Sequence, residues 1–432
     1  MSKKTHNLSA TSVGTESDRH ICLITPGNLS STPRLVREAQ RLLAAGYQVS
    51  VIAGSRFTPL ESADRKLAAQ YGFALHRPNC RSVGWVMLRI LSRITRALTE
   101  WQIPLPNSFR ILALDPMMLQ LTKLARAIPA ELYHGHCLGG LYVAINTAQH
   151  YGKAAGFDIE DYHPDEQCWQ ENEQWKPQVI HKIMEEYLPL CAFLTSASPG
   201  IQDACSDRYG VKSEVILNTY PRTEFPKEPT GIHSPSQESP ARLYWFSQTI
   251  GPGRGLEKAL TVISHMQTPC QLHLRGYPQT GFIEELQALA MDLGIDPARL
   301  ICHQPAAADH MVELCSGHHL GLNLEETTPR NRNLCLTNKI FAYLAAGTPV
   351  WLSTTQAHQR IYEELGSAAC LTDLNNPRAA ATQLDTLLSN EDLYSSARTT
   401  ASKLGKEKFC WEHDSELFLK LIQTHLHPNE YP

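Results

Sequence analysis

Short apolar runs recur along this chain, each followed by a loop carrying glycine or proline and then by a segment of helical periodicity. That alternation restricts it to a few architectures. The first instance is complete: residues 21–25 read as a strand, 27–33 as a loop, and Arg34 to about Ala45 as a helix with Leu35, Ala39, Leu42 and Leu43 on one face. Gly46 stops that helix and residues 48–53 form the next strand. A strand–helix–strand crossover makes its two strands parallel. Further strands are expected at 74–76, 132–134, 155–157, 193–196 and 215–217, with helices in the intervals.

Between Pro221 and Pro240 the periodicity stops: Pro221, Pro226, Pro229, Pro235 and Pro240 stand among Ser, Thr, Glu and Lys, the composition of a linker. A second series follows, with strands at 243–246, 271–274, 299–303 and 319–324 and helices at 256–264, 282–293 and 311–315. It runs into TNKIFAYLAAGTPVWLS at 337–353, a helix that Thr337 can cap and Gly347 can stop, then a strand apolar enough to be buried on both faces. The chain of 432 residues is thus expected to hold two α/β domains, at 20–220 and 241–410, after a polar tail at 1–19 and around a linker at 221–240. Residues 403–408 form a polar connection, and a last helix follows within 411–432. Its Leu417, Phe418, Leu421 and Ile422 need a partner surface, expected on the first domain.

A net charge of -4 gives no support for binding nucleic acid by bulk electrostatics. The 12 cysteines show no CxxC pair, which reads as reduced thiols in a cytoplasmic protein. Residues 1–19 lack the apolar core of a signal peptide, and no apolar run approaches the roughly 20 residues that span a bilayer.

Several loops at expected strand ends carry chemistry. Lys339 lies in the first turn of its helix, where the macrodipole favours anions; a bound anion would account for a lysine there, and simple exposure to water is the other reading. The loop SQTIGPGRG at 247–255 combines three glycines with Arg254, suited to phosphate oxygens, or else an ordinary turn. His134 and His136 bracket a strand end and fit a metal pair, a positioned base or structural histidines. The loop at 158–166, with Glu160, Asp161 and His163, is a solvated turn or a set of hydrogen-bonding partners for sugar hydroxyls. The segment 81–101 reads as an amphipathic helix with Arg89, Arg93 and Arg96 on one face, a solvated basic surface or a contact for anionic lipid.

Taken together, these residues resemble the retaining glycosyltransferases of family 4, over about residues 20–425. SQTIGPGRGLEKAL is similar to the segment that holds the donor diphosphate, with Arg254 at its second basic position, Gln248 where arginine is usual and Ser247 where glycine is usual. NKIFAYLAAGTPV is similar to the donor motif, with Ala342 and Leu334 at the places of its two glutamates. Asn218 resembles the interdomain asparagine, His136 the strand-end histidine near the reacting centre, and Trp411-Glu412 the pair before the last helix.

The resemblance implies the GT-B fold, two facing Rossmann-like domains with a cleft between them. It also implies transfer of a sugar, with retention, from a nucleotide-sugar donor to a glycan or lipid-linked acceptor, as in polysaccharide biosynthesis. His136 is then the catalytic candidate. Gln248, Arg254, Gly276, Asn338 and Lys339 are the donor-binding candidates, and Asn28, Arg34, Glu160, Asp161 and His163 those for acceptor or sugar. No metal and no other cofactor is expected, because cations stabilise a leaving diphosphate without one. Peripheral contact with the inner face of a membrane, through the three arginines, fits the first domain. Two other readings share the fold: a nucleotide-sugar epimerase, which needs a histidine and a carboxylate pair, and a non-catalytic binding protein.

Overall fold

The computed structural model describes residues 20–426 apart from 56–57, 81, 228–234 and 237. The expected tail at 1–19 and part of the expected linker therefore lie outside the described residues. Among the described residues thirteen strands form two sheets. The first contains β1 (His20–Thr25), β2 (Gln48–Ala53), β3 (Ala74–His76), β4 (Leu132–His136), β5 (Ala154–Ile159), β6 (Phe193–Ser196) and β7 (Glu214–Val215). The second contains β8 (Ala241–Ile250), β9 (Cys270–Pro278), β10 (Leu300–His303), β11 (Leu320–Asn323), β12 (Val350–Ser353) and β13 (Ala369–Thr372). Their orders are β3-β2-β1-β4-β5-β6-β7 and β10-β9-β8-β11-β12-β13.

Pairing is parallel, from His20↔Gln48 to Thr25↔Ala53 in the first sheet and from Gly321↔Val350 to Asn323↔Leu352 in the second. Both sheets are doubly wound: the chain moves outward from the first strand of each, then returns to the other side of that strand. The reversal falls between β1 and β4 and between β8 and β11. Loops beyond the carboxyl ends of strands at such a point are where this architecture binds ligands.

The continuous apolar runs are buried on both faces, as parallel strands under helices require. On β8, Leu243 and Trp245 join one core cluster while Tyr244 and Phe246 join the other. Trp351 of β12 likewise faces away from Val350 and Leu352. The helix Asn338–Ala345 packs on the second sheet so closely that only glycine fits at position 321: a Cβ there would lie 2.2 Å from the Tyr343 ring. The Tyr343 hydroxyl sits between two strand carbonyls, those of Tyr244 at 2.9 Å and Leu322 at 3.2 Å. Gly347 takes a left-handed φ of 67°, the expected stop. Thr337 stands at the N-cap with extended backbone, but its hydroxyl donates to Asn323 Oδ1 at 2.8 Å and makes no capping bond.

Beyond residue 353 the structure adds the helices Gln356–Leu365 and Pro377–Ser389 and the strand β13. Residues 403–408 are not an extended connection: all but the last belong to the helix Glu391–Glu407. Its buried face is Tyr394, Ala397, Ala401 and Gly405, three small residues and one tyrosine that a polar sequence conceals. A Cβ on Gly405 would meet the Leu344 carbonyl at 2.5 Å. The last helix, Trp411–Leu426, lies within the expected 411–432. Trp411 N–H donates to Tyr220 O at 2.9 Å, Thr219 Oγ1 to Asp414 Oδ2 at 2.5 Å and Arg222 N–H to Glu412 Oε1 at 3.0 Å. It buries Phe418 and Ile422 but exposes Leu417.

The described residues divide into two compact units, one of 20–157, 190–192 and 423–426, the other of 158–189 and 193–422. In the first unit the helix Val83–Glu100 is turned inside out. Ser92 and Thr95 are its buried residues, whereas Val83, Val86, Met87, Ile90, Leu91 and Ile94 are exposed at spacings of three and four. Among the described residues no helix is long and apolar enough to cross a membrane.

Candidate functional site

At the reversal point of the second sheet, β8 ends in the glycine-rich loop and β11 ends in Leu324-Glu325-Glu326. Gly253 and Gly255 have left-handed φ angles of 67° and 72°. A Cβ on Gly255 would come within 2.3 Å of the Leu324 carbonyl, so glycine is what lets the two strand-end loops touch. Gly255 is also the N-cap of the helix Leu256–Ile263, with no side-chain capping bond, and that helix start presents backbone N–H groups. Gly276, φ 150°, lets β9 pass under a bulge of β8, where a Cβ would lie 2.4 Å from Ser247 O. Gln248 lies exposed on that bulge, and Asn338 is half-buried at the start of its helix.

Lys339 is not a surface cation. Its side chain is 6 % exposed and its Nζ lies 3.0 Å from Glu325 Oε1, itself buried. The anion expected at this helix start is, in this structure, the chain's own carboxylate. Arg254 Nη1 reaches Glu325 Oε2 at 3.7 Å while 35 % of its side chain stays exposed. Burial raises the Glu325 carboxyl, but the charges of Lys339, Arg254 and Arg332 outweigh it and hold the group below its usual range. Arg332 donates to the carbonyl of Gly253, and Lys258 pairs with Glu326 at 3.7 Å. This linked set therefore contains four cations, Arg254, Lys258, Arg332 and Lys339, against two carboxylates, Glu325 and Glu326, a surplus of two positive charges. Behind it, buried His358 donates Nδ1–H to Ser353 O at 2.9 Å and accepts from Asn323 Nδ2 at 3.0 Å; burial lowers it to about 4.

At the reversal point of the first sheet, His136 ends β4 and begins the helix Cys137–Tyr151. It is fully buried, with Nε2 2.8 Å from Glu38 Oε2. Glu38 projects from the helix Pro33–Ala44 and also meets Arg34 Nε at 3.5 Å and His134 Nε2 at 3.6 Å. Burial raises the Glu38 carboxyl, yet His136, His134 and Arg34 together pull it below its usual range. Burial lowers His134 to about 3, leaving it neutral. Glu38, His134 and His136 bring three ligand atoms within 4.8 Å of one another, one metal-capable group among the described residues, with Arg34 also beside the carboxylate. Asn28, also buried, donates to Asp64 Oδ2 at 3.1 Å; Asp64 further accepts from Ser30 N–H at 2.7 Å and pairs with Arg77, fixing the loop after β1.

In the second unit the acidic loop is ordered against the helix Arg330–Leu334. Asn331 Nδ2 donates to Asp161 Oδ1 at 2.7 Å and Asn331 Oδ1 accepts from Tyr162 N–H at 2.7 Å. Burial and the neighbouring Glu166 raise Asp161 to about 6. His163 Nδ1 lies 3.1 Å from Glu166 Oε2, and this carboxylate outweighs burial and raises the histidine. Glu160 is half-buried beside them.

The structure thus joins Arg34 to His136, and Arg254 to Lys339, each time through a glutamate that the sequence reading passed over. Both had a signal. Glu38 is a charged residue inside the apolar stripe of Leu35, Ala39 and Leu42, and Glu325 directly follows a buried strand. No family model and no curated protein matches the chain. Solved structures do match. Anabaena HepE in complex with UDP superposes with a TM-score of 0.69 at 14% identity, covering 94% of this chain and 100% of that one. Sucrose-phosphate synthase from Thermosynechococcus elongatus gives 0.67 at 13% identity, covering 94% and 98%. A putative UDP-N-acetylglucosamine 2-epimerase from Listeria monocytogenes gives 0.55 at 11%, covering 95% and 98%. The two sheets have the order and the structural neighbours of the GT-B fold.

Proposed function

We propose that this chain is a nucleotide-sugar-dependent glycosyltransferase, retaining and of the family 4 type, which transfers a sugar to a glycan or lipid-linked acceptor. The observation that carries this reading is the surplus of two positive charges around the glycine-rich loop, at the point where a doubly wound sheet binds ligands. A nucleotide-sugar diphosphate brings two negative charges, and a preorganised cationic loop stabilises that diphosphate as it leaves. Arg254, with its exposed face, takes the diphosphate; Lys339 positions Glu325 behind it; Gln248 and Asn338 border the same loop. His136, held by Glu38, acts at the reacting centre, while Glu160, Asp161 and His163 bind hydroxyls of the sugar or the acceptor. Transfer itself then needs no metal.

A thermal-shift screen against UDP-, GDP- and ADP-sugars, followed by product analysis, tests the reading. Stabilisation by one nucleotide class, with release of the free nucleoside diphosphate that speeds up when an acceptor glycan is added, is the expected result. No response to any donor would end it. His136→Ala should slow turnover while donor affinity stays near wild type.

A second reading has one specific support. A histidine and a carboxylate lie 2.8 Å apart at His136 and Glu38, the pair an epimerase requires, and a putative 2-epimerase is among the structural neighbours. Recovery of an epimerised sugar instead of a glycoside would favour it.

We also assign the outward apolar face of Val83–Glu100, flanked by exposed Arg89, Arg93 and Arg96, to the surface of an anionic membrane. An apolar stripe beside basic residues suits that interface. Vesicle binding should weaken with salt and fall when the three arginines become glutamine, by about 1 kcal/mol per charge. Binding that ignores both changes would remove the assignment.

A further inference from the structure

Away from both reversal points, three imidazoles meet at the edge of the second sheet: His273 on β9, His303 at the end of β10 and His318 in the turn before β11. One ring nitrogen from each lies within 4.8 Å of the other two. His273 Nδ1 is 3.0 Å from His303 Nε2, and the rings of His273 and His318 meet edge-on with centroids 5.0 Å apart.

The outer nitrogens of two rings are tied down. His318 Nδ1 donates to the Leu314 carbonyl at 2.9 Å, and His273 Nε2 faces Gln271 Oε1 at 3.4 Å. A carbonyl oxygen only accepts, so each of those nitrogens carries the hydrogen, and the lone pair belongs to His273 Nδ1 and His318 Nε2. The His318 ring also stacks on Tyr244 with centroids 4.1 Å apart, which fixes its plane. Imidazoles oriented in this way by carbonyl acceptors are the usual supporting arrangement for metal ligands. Burial is the chief cause that lowers all three rings, His273 to about 4, His318 to about 3 and His303 in the same direction.

We propose that His273, His303 and His318 bind a divalent transition metal of the Zn2+, Co2+ or Ni2+ class, with the fourth position open to water. Nitrogens about 2.0–2.1 Å from a tetrahedral metal lie roughly 3.3 Å apart, so the His273–His303 pair needs to open by only a few tenths of an ångström. Only His303 changes tautomer. Without metal its Nε2–H donates to His273 Nδ1; with metal that proton moves to its own Nδ1 and no charge is released. No carboxylate belongs to the group, so Mg2+ and Ca2+ are poor occupants, whereas imidazole suits the borderline metals. The guanidiniums of Arg242 and Arg275 stand near and oppose a cation, although Arg275 is committed to Tyr244 Oη at 2.8 Å and Gln304 O at 2.5 Å. Affinity is accordingly placed in the micromolar range. The bound ion would clip the edge strand β10 to β9 and to the turn before β11.

The test is titration of the chelator-treated full chain with Zn2+ and Co2+, alongside His303→Gln and His318→Gln, each shown to be folded by its melting curve. Wild type should bind one ion saturably, raise its Tm, give the visible absorption of four-coordinate cobalt and slow amide exchange in β10. Each variant should weaken binding at least tenfold. Non-saturable binding would overturn the proposal, and so would equal binding by wild type and both variants, which would place the ion elsewhere, as on exposed Cys168 or Cys302. None of these readouts depends on sugar transfer.

Discussion

At the first reversal point Glu38 is enclosed by Arg34, His134 and His136, and all four side chains are buried. At the second, Glu325 and Lys339 are buried in the same way, but Arg254 on the other side of Glu325 keeps 35 % of its side chain exposed. The first cluster holds its carboxylate among Arg34, His134 and His136, all of them out of contact with water. The second carries an excess of positive charge that is bound on one side and free to act on the other. One architecture therefore offers a rigid, closed arrangement suited to positioning a ring, and an open one suited to attracting an anion. Burial separates the two roles, because an ion pair removed from water resists rearrangement while a half-exposed guanidinium does not.

The largest effect should come from opening the closed cluster. Glu38→Ala removes the buried carboxylate that Arg34, His134 and His136 share, and such losses cost about 3–5 kcal/mol. Urea denaturation should show it, and Glu38→Gln should lose less. A change below about 1 kcal/mol would mean that the pair has no structural weight and that the two sites do not differ as described. Lys339→Ala comes next, since Glu325 keeps only the longer contact to Arg254; a loss of about 2–3 kcal/mol is expected. A lysine read from sequence as a surface cation would have predicted almost none.

Arg254→Ala sharpens the contrast. Its stability should change by less than about 1 kcal/mol, as for exposed ion pairs. Nucleotide-sugar affinity should nevertheless fall by one to two orders of magnitude, the equivalent of a charge-assisted bond of about 1.5–3 kcal/mol. Calorimetric titration beside a melting curve separates the two quantities, and unchanged affinity would place the anion site elsewhere.

The remaining effect is in pH. Asp161 has its pKa raised in the folded state, to about 6, so the folded chain holds that proton more tightly than the unfolded one. The stability it contributes is present at low pH and lost as pH rises from about 4 through 6. Asp161→Asn keeps an acceptor for Asn331 and should flatten the pH dependence of Tm across that window. An unaltered profile would show that Asp161 titrates normally.

Most of the fold was legible because burial on both faces leaves a plain signature in sequence. The runs at 21–24, 243–246 and 350–352 are continuous and apolar, and each lies in a strand of the structure. The helix Glu391–Glu407 was missed because it packs largely through alanine and glycine, which carry little hydrophobic signal. Cations of the open site could be read from loop composition, since an arginine among glycines has few structural reasons to be there. The carboxylates that organise both clusters could not be paired with their partners. Glu325 lies next to Lys339 only after a crossover closes, and Glu38 meets His136 only because β4 lands beside β1. The outward apolar face of Val83–Glu100 was hidden for the opposite reason: periodicity reveals a stripe but not which way it points.

The Tyr343 ring above Gly321 constrains more than the packing of one helix. Any side chain at 321 collides with the ring, and any smaller residue at 343 leaves a void and removes the hydroxyl that sits between two strand carbonyls. A lineage moving away from this pair must cross an intermediate weaker than either end. The two positions should therefore change together or not at all across relatives, and a glycine at 321 should predict an aromatic hydroxyl at 343 even where little else in the sequence is shared.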